Sequence, residues 1–192
     1  MTRVQKKQIQ RRAEIIEAVI PLLNAASFED LSVSDICSAA NISVGSFYHY
    51  FERKTDLLVG LLGLIDSDLE TKVYPRLICY DERDNLLLFA SAWAEYVDSH
   101  GIARSKLISS VEPTDVDYTG QKRSSRSILE EIMRRGQEKG QITAEYDADT
   151  LADMFLMAIR GVTVDWSRHD GSYSISDKMD RCIRFFLRAL RC

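Results

Sequence analysis

The sequence predicts an all-α protein, with an N-terminal three-helix helix-turn-helix head and a helical-bundle body that dimerises. Three observations lead there. Residues 32–54, S-V-S-D-I-C-S-A-A-N-I-S-V-G-S-F-Y-H-Y-F-E-R-K, read as two short helices joined by a tight turn, the second of them polar and aromatic. From residue 54 onward, long segments carry apolar residues at helical spacings of three and four. The last two of these segments are apolar on more than one side, a surface wide enough to be buried twice.

The first short helix starts at Ser32, whose hydroxyl suits an N-cap. Asp35, three residues on, completes a weak capping box at the positive end of the helix dipole. Val33, Ile36, Cys37 and Ala40 form the apolar face of this helix. Asn41 ends it, because asparagine accepts the left-handed backbone that a helix C-terminus needs. Ile42 plugs the turn and Ser43 caps the second helix. There Val44, Phe47 and Phe51 are expected to face inward, with Ser46, Tyr48, His49 and Tyr50 on or near the open side. This is the layout of a helix-turn-helix that reads DNA.

The run I-C-S-A-A-N-I-S-V-G-S-F-Y-H-Y-F-x-x-K-x-x-L-L resembles the N-terminal domain of TetR/AcrR-type transcriptional regulators. The resemblance covers about residues 10–62, and S-x-G-S-F-Y-x-Y-F-x-x-K is its most specific part. Asn41 and Ser27 stand where that family usually has glycine, and both residue types still form turns. Pro21 falls inside the first helix, where proline costs about 3 kcal/mol unless the helix kinks, so a kink or fray is expected near Glu17 to Pro21. The resemblance implies a ligand-responsive homodimeric repressor that binds a palindromic double-stranded DNA operator and is released by a small-molecule effector. It also implies that the last two helices form the dimer interface.

The length of 192 residues suits a small head, 1–53, and a larger dimerising and effector-binding body, 54–192. Apolar runs are short and interrupted by charge, so no membrane span is expected. No signal-peptide pattern is visible at the N-terminus, and a cytoplasmic location follows. Cys37, Cys79, Cys182 and Cys192 lack metal-ligand spacing, so neither a metal, a cofactor nor a disulfide framework is expected.

The net charge of −4 divides unevenly, with seven Lys/Arg against six Asp/Glu in residues 1–54 and eighteen against twenty-three in the rest. Arg3, Lys6, Lys7, Arg11 and Arg12 make a basic N-terminal arm, for which a solvated, disordered end is the alternative.

In the body, Leu57, Leu58, Leu61, Leu62, Ile65 and Leu69 mark a connecting helix from Lys54 to about Lys72. Gly60 and Gly63 within it signal either close packing or easy bending. A helix over 84–100 stops at His100 and Gly101, and a shorter one over 102–112 turns Leu107, Ile108 and Val111 inward. The polar loop at Pro113 is expected to be solvated; the alternative is that Glu112, Asp115 and Asp117 leave room for a cationic group on a ligand. Residues 121–139 form a half-exposed helix with Glu130–Arg134 and Glu131–Arg135 pairs. The terminal helices, near 148–169 and 176–191, carry wide apolar surfaces. Leu151, Phe155 and Trp166 lie on the first with Met154, Met157 and Gly161 beside them, and Met179, Ile183, Phe186 and Leu190 lie on the second.

For the head, Ser43, Val44, Gly45 and Ser46 form the first turn of the reading helix, small enough for close approach to the major groove. By resemblance Tyr48, and the outward member of His49 and Tyr50, contact phosphate or a thymine methyl. Lys54 opens the next helix, where the dipole disfavours a cation, and so fits a phosphate contact. Ser32 and Ser34 can donate to the other flank of the backbone. Residues 43–50 contain no Arg, Asn or Gln, so bidentate base contacts are absent and specificity falls to smaller contacts and DNA shape. Phe89, Trp93, Tyr96, Met133, Met154 and Met157 are candidates to line an effector pocket, with plain core as the alternative. The chain carries no G-x-S-x-G, H-E-x-x-H or phosphate-cradling loop, which argues against an enzyme, and a helical protein-interaction module remains the other alternative.

Overall fold

The structure, a computed structural model, describes residues 3–24, 26–109 and 124–191, and every regular element among them is helical. The chain runs through α1 (Arg3–Val19), α2 (Val33–Ala39), α3 (Val44–Tyr50), α4 (Asp56–Asp68), α5 (Glu82–Ser109), α6 (Ser124–Glu138), α7 (Ala148–Arg168) and α8 (Ile175–Ala189).

The α1 helix stops one residue ahead of Ile20 and continues as a 3-10 turn over Ile20–Asn24. Ile20 precedes Pro21, a position where the proline ring crowds the α conformation, so the disruption falls where Pro21 predicts it. The basic residues near the N-terminus lie on this helix, which begins at Arg3. Arg11 pairs with Glu14 at 2.7 Å, and the Arg12 guanidinium stacks 4.9 Å over the Phe51 ring.

Two hydrophobic cores divide the molecule. Ile15, Ile16, Phe28, Ile36, Phe47 and Phe51 anchor the head core, and Leu57, Leu58 and Leu61 of α4 close it. Further along the same helix Ile65, and Leu69 just beyond it, enter the body core with Leu86, Phe89, Leu129, Phe155 and Ile183. One helix therefore serves both cores; Leu62, on its expected stripe, lies outside the described side chains. The two glycines of α4 differ. A Cβ on Gly60 would lie 2.6 Å from Ile16 Cδ1, so glycine is what lets α4 approach α1, whereas Gly63 has nothing within 4 Å. After Asp68 the chain widens into a π turn, Leu69–Val73, and then a 3-10 turn, Tyr74–Arg76, within which Pro75 can offer no N–H to an α ladder.

The break expected at His100 and Gly101 is present inside α5, where Gly101 takes φ 78°, ψ 176°. Its consequence was not foreseen in the sequence: the segment after the break sets Ile102 against the body core and then turns Leu107 into the head core. Ile108, Val111 and the acidic loop residues Glu112, Asp115 and Asp117 lie outside the described side chains.

In α6, Ile128, Leu129, Ile132 and Met133 are buried; Glu131 pairs with Arg135 at 3.1 Å, and Arg134 pairs with Glu138 at 2.9 Å. The N-terminus of α5 is tied to α6 by Glu82, 2% exposed, which accepts from Arg135 Nη2 at 2.9 Å, Lys139 Nζ at 2.8 Å and Asn85 Nδ2 at 2.8 Å. Both terminal helices keep apolar residues outside: Met154 and Met157 on α7 are 44% and 67% exposed, and Phe185 on α8 is 77% exposed. Phe186 is half-buried with its ring edge-on to Phe155 at 5.5 Å, so the exposed aromatic on α8 is its neighbour Phe185.

Candidate nucleic-acid interface

Each half of the helix-turn-helix is set by its cap. Ser32 Oγ accepts from Asp35 N at 3.1 Å, while Asp35 Oδ2 accepts from Ser32 N at 2.8 Å and from the Ser32 hydroxyl at 2.5 Å. These bonds hold the Asp35 carboxyl below the usual carboxylate range. Asn41 takes φ 50°, the left-handed turn residue, and Ser43 Oγ accepts from Ser46 N at 3.0 Å to start α3. Phe47 and Phe51, 0% and 1% exposed, fix the inner face of α3.

The outer face differs from its expected composition at one position. Val44 is 49% exposed and does not face inward. Spacing relates it to Phe47, but it is the first residue of a seven-residue helix and projects past the end of the core. Tyr48 is 54% exposed, with its ring edge-on to Phe47 at 5.4 Å, and His49 is exposed. Tyr50 is half-buried, packed on the head core and edge-on to His49 at 5.0 Å. Gly45 is exposed, and a Cβ there would meet only Ser43 Oγ at 3.8 Å, so nothing inside the protein demands glycine.

Hydroxyls expected to donate outward are partly engaged at home. The Ser32 hydroxyl donates to Asp35, and the hydroxyls of Ser43 and Ser46 share a hydrogen bond of 2.9 Å. Ser34 is exposed on the first turn of α2. Lys54 departs furthest from expectation. Its Nζ donates to the carbonyl oxygens of Phe28, Glu29 and Leu31 at 2.9, 3.0 and 3.0 Å, so the amine points into the protein. Sequence reasoning placed Lys54 by the helix dipole alone and had no signal for three carbonyls that converge only after folding.

The candidate effector residues separate into inside and outside. Phe89 and Met133 are fully buried, and Trp93 donates Nε1–H to Thr163 Oγ1 at 3.1 Å. Tyr96 is half-buried between His100, stacked at 4.0 Å, and the Arg104 guanidinium, 5.6 Å from its ring; burial pushes its phenol up to about 12 against the opposing pull of Arg104. Met154 and Met157 stand on the outer face of α7 and line no interior pocket, being exposed where their neighbours Phe155 and Leu156 are buried. Sequence reasoning also missed Arg104, 3% exposed, which reaches Glu17 of α1 at 2.8 Å, and Ser125, fully buried, whose hydroxyl has no partner among the described residues.

A sequence model of the family described as bacterial regulatory proteins, tetR family, matches residues 15–61, which hold the whole of α2, the turn and α3. Over that head the chain is similar to the TetR family. Two relatives extend the similarity well beyond the head. It is 27% identical over 167 residues to the transcriptional regulator AcuR of Cereibacter sphaeroides, covering 77% of this chain and 72% of AcuR. It is also 27% identical over 172 residues to the transcriptional repressor KstR2 of Rhodococcus jostii, covering 86% and 83%. In fold it resembles the transcriptional regulator FadR of Bacillus subtilis, solved in complex with stearoyl-CoA, with a TM-score of 0.76 and 16% identity over 93% of this chain and 99% of FadR. Among the described residues no helix is long and apolar enough to cross a membrane, and no group of three or more His, Cys, Asp or Glu is placed to hold a metal.

Proposed function

We propose that this chain is a homodimeric, ligand-responsive transcriptional repressor. Residues 1–53 bind a palindromic operator; residues 54–192 dimerise and bind the small molecule that releases it. The observation that carries this reading is the outward face of α3, where Val44 and Gly45 of the first turn and Tyr48 beyond it are exposed on a helix locked from behind by Phe47 and Phe51. A helix N-terminus so presented suits the major groove. Val44 offers an apolar contact to a thymine methyl, and Tyr48 and His49 offer hydrogen bonds to phosphate or base edges. It acts by binding rather than by chemistry, in the cytoplasm where its operator lies.

Dimerisation uses the exposed apolar residues of α7 and α8, Met154, Met157 and Phe185, which a two-fold axis would bury against their copies. The effector site lies among Phe89, Trp93, Tyr96 and Met133, with the unpartnered hydroxyl of Ser125 as a polar group for the ligand to answer. Two connections carry its signal to the head: α4, which serves both cores, and the segment after Gly101. That segment reaches the head through Arg104–Glu17 at 2.8 Å and the end of α7 through Lys106–Asp170 at 2.5 Å.

Selection from a random duplex pool tests the reading directly. The retained sequences should be palindromic, and log affinity should fall against log salt with a slope of about −5 to −9 if the dimer neutralises ~6–10 phosphates. Phe185→Glu should sediment as a folded monomer and lose the DNA. A metabolite panel that includes long-chain acyl-CoA thioesters, the ligand class of the B. subtilis FadR structure, should contain a compound that releases the duplex. Affinity that ignores salt would sink the proposal.

A further inference from the structure

We propose that Lys54 is a positioning residue, an ammonium pin that fastens the turn ahead of α2 to the start of α4, and that it is not a phosphate ligand. The inference rests on the reading of the head as a DNA-binding unit.

A lysine ammonium has three donors and no acceptor. In this head those donors meet three backbone carbonyls within four residues, Phe28, Glu29 and Leu31, at 2.9, 3.0 and 3.0 Å. The charge also sits 4.8 Å over the Phe28 ring. Phe28 and Leu31 are themselves buried in the head core, so the turn that offers the carbonyls is anchored from inside.

What the pin encloses gives it its role. Leu31 immediately precedes Ser32, the cap of α2, and Lys54 lies two residues ahead of α4. The two ends of the helix-turn-helix, residues 31 and 54, are thereby clamped to each other, and α2, the turn and α3 form a closed loop. Because Lys54 leads into the helix that enters the body, the pin also fixes the angle between α3 and α4. A phosphate would have to draw the ammonium out and leave three carbonyls, two of them partly buried, short of a donor. The salt dependence of DNA binding should therefore come from other groups, with Lys54 acting through the placement of α3.

Two variants separate the pin from a phosphate contact. Lys54→Met keeps an unbranched stem over the Phe28 ring and removes all three donors. Lys54→Arg keeps the charge but exchanges three radiating donors for a planar fork. The probe is a duplex that the wild-type protein selects from a random pool, titrated by fluorescence anisotropy across a salt series at a temperature where circular dichroism shows every variant folded. A phosphate ligand predicts that Lys54→Met flattens the salt slope of a dimer by about 1.8, at 0.9 per contact, and that Lys54→Arg keeps wild-type affinity. The pin predicts an unchanged slope in Lys54→Met, a loss of about tenfold in affinity in both variants, and faster amide exchange over residues 28–36. A flattened slope, or full affinity in Lys54→Arg, overturns it. If Lys54→Met does not fold, Lys54→Arg decides alone. If the wild-type protein selects no duplex, the DNA reading falls, while unchanged exchange over 28–36 in the variants would separately overturn the pin.

Discussion

The body core is closed by its own long helices, whereas the head core is closed by residues that belong to the connecting helix and to the far end of α5. Phe155, Phe89, Leu129 and Ile183 come from four helices of the body and meet one another. Head residues such as Phe47, Ile36 and Ile15 need Leu57, Leu58 and Leu61 of α4 and Leu107 of α5 to complete their burial. A head of about 50 residues is marginal by itself. Borrowing apolar surface makes its stability depend on where α4 and the segment after Gly101 stand, which is the dependence an allosteric regulator needs.

The comparison breaks hardest at Phe47. It is fully buried, it holds α3 from behind, and its ring lies 5.4 Å from that of Phe51. Phe47→Ala should cost about 3–5 kcal/mol, enough to unfold the head on its own. Denaturant unfolding should then show an early transition for the head and a later one for the body. A single undisturbed transition would mean that the two cores are one cooperative unit.

Leu107→Ala tests the borrowing from the other side. Leu107 is 5% exposed and lies at the end of a body helix, so the expected loss of about 2–4 kcal/mol should register in the head. Faster amide exchange across α1 and α2, with α6 and α7 unchanged, is the expected pattern. Exchange that accelerates in the body instead would assign Leu107 to the wrong core.

How legible these features were in the sequence depends on how local they are. The caps at Ser32 and Ser43, the left-handed Asn41 and the break at Gly101 each follow from one residue and its immediate neighbours, and all four are present. The disruption before Pro21 follows from proline's missing N–H in the same way. Periodicity also placed Phe47 and Phe51 inside, but failed for Val44, because a repeat of three and four says which face a residue is on and not where the core ends. The same limit moved Met154 and Met157 from a pocket to the outer surface. The engagement of Lys54 and the reach of Arg104 to Glu17 join residues 23 to 26 and 87 positions apart, and no spacing in the chain announces either.

The body has its own polar fastening, and acid should release it. Glu82 is buried, which by itself would raise its carboxyl, yet the hydrogen bonds from Arg135, Lys139 and Asn85 outweigh burial and hold it below the ordinary glutamate value. A carboxyl lowered by folding adds stability that is complete above its unfolded value of 4.5 and is lost as pH falls through the folded value. Stability should therefore decline below about pH 4.5 more steeply in the wild type than in Glu82→Gln. At neutral pH that variant should be weaker by about 1.5–3 kcal/mol, since it gives up charge-assisted bonds. Parallel pH curves for the two proteins would show that Glu82 does not titrate as its surroundings require.

The smallest effect on stability should come from Glu17, and it bears most directly on what the head borrows. Glu17 accepts from Arg104 at 2.8 Å across the seam between head and body, but the glutamate side chain is 53% exposed, so solvent screens the pair. Glu17→Gln should cost less than about 1 kcal/mol in global unfolding. Arg104 has other support, being buried and 5.6 Å from the Tyr96 ring, so it should stay in place when its partner is neutralised. What the variant removes is a contact between the segment after Gly101 and α1, one of two links through which a ligand in the body reaches the head. If both links carry signal, Glu17→Gln should bind DNA as the wild type does while needing a higher effector concentration to release it. An unchanged release curve would leave α4 as the sole carrier, and weakened DNA binding without effector would show that the ion pair sets the resting geometry of the head rather than its response.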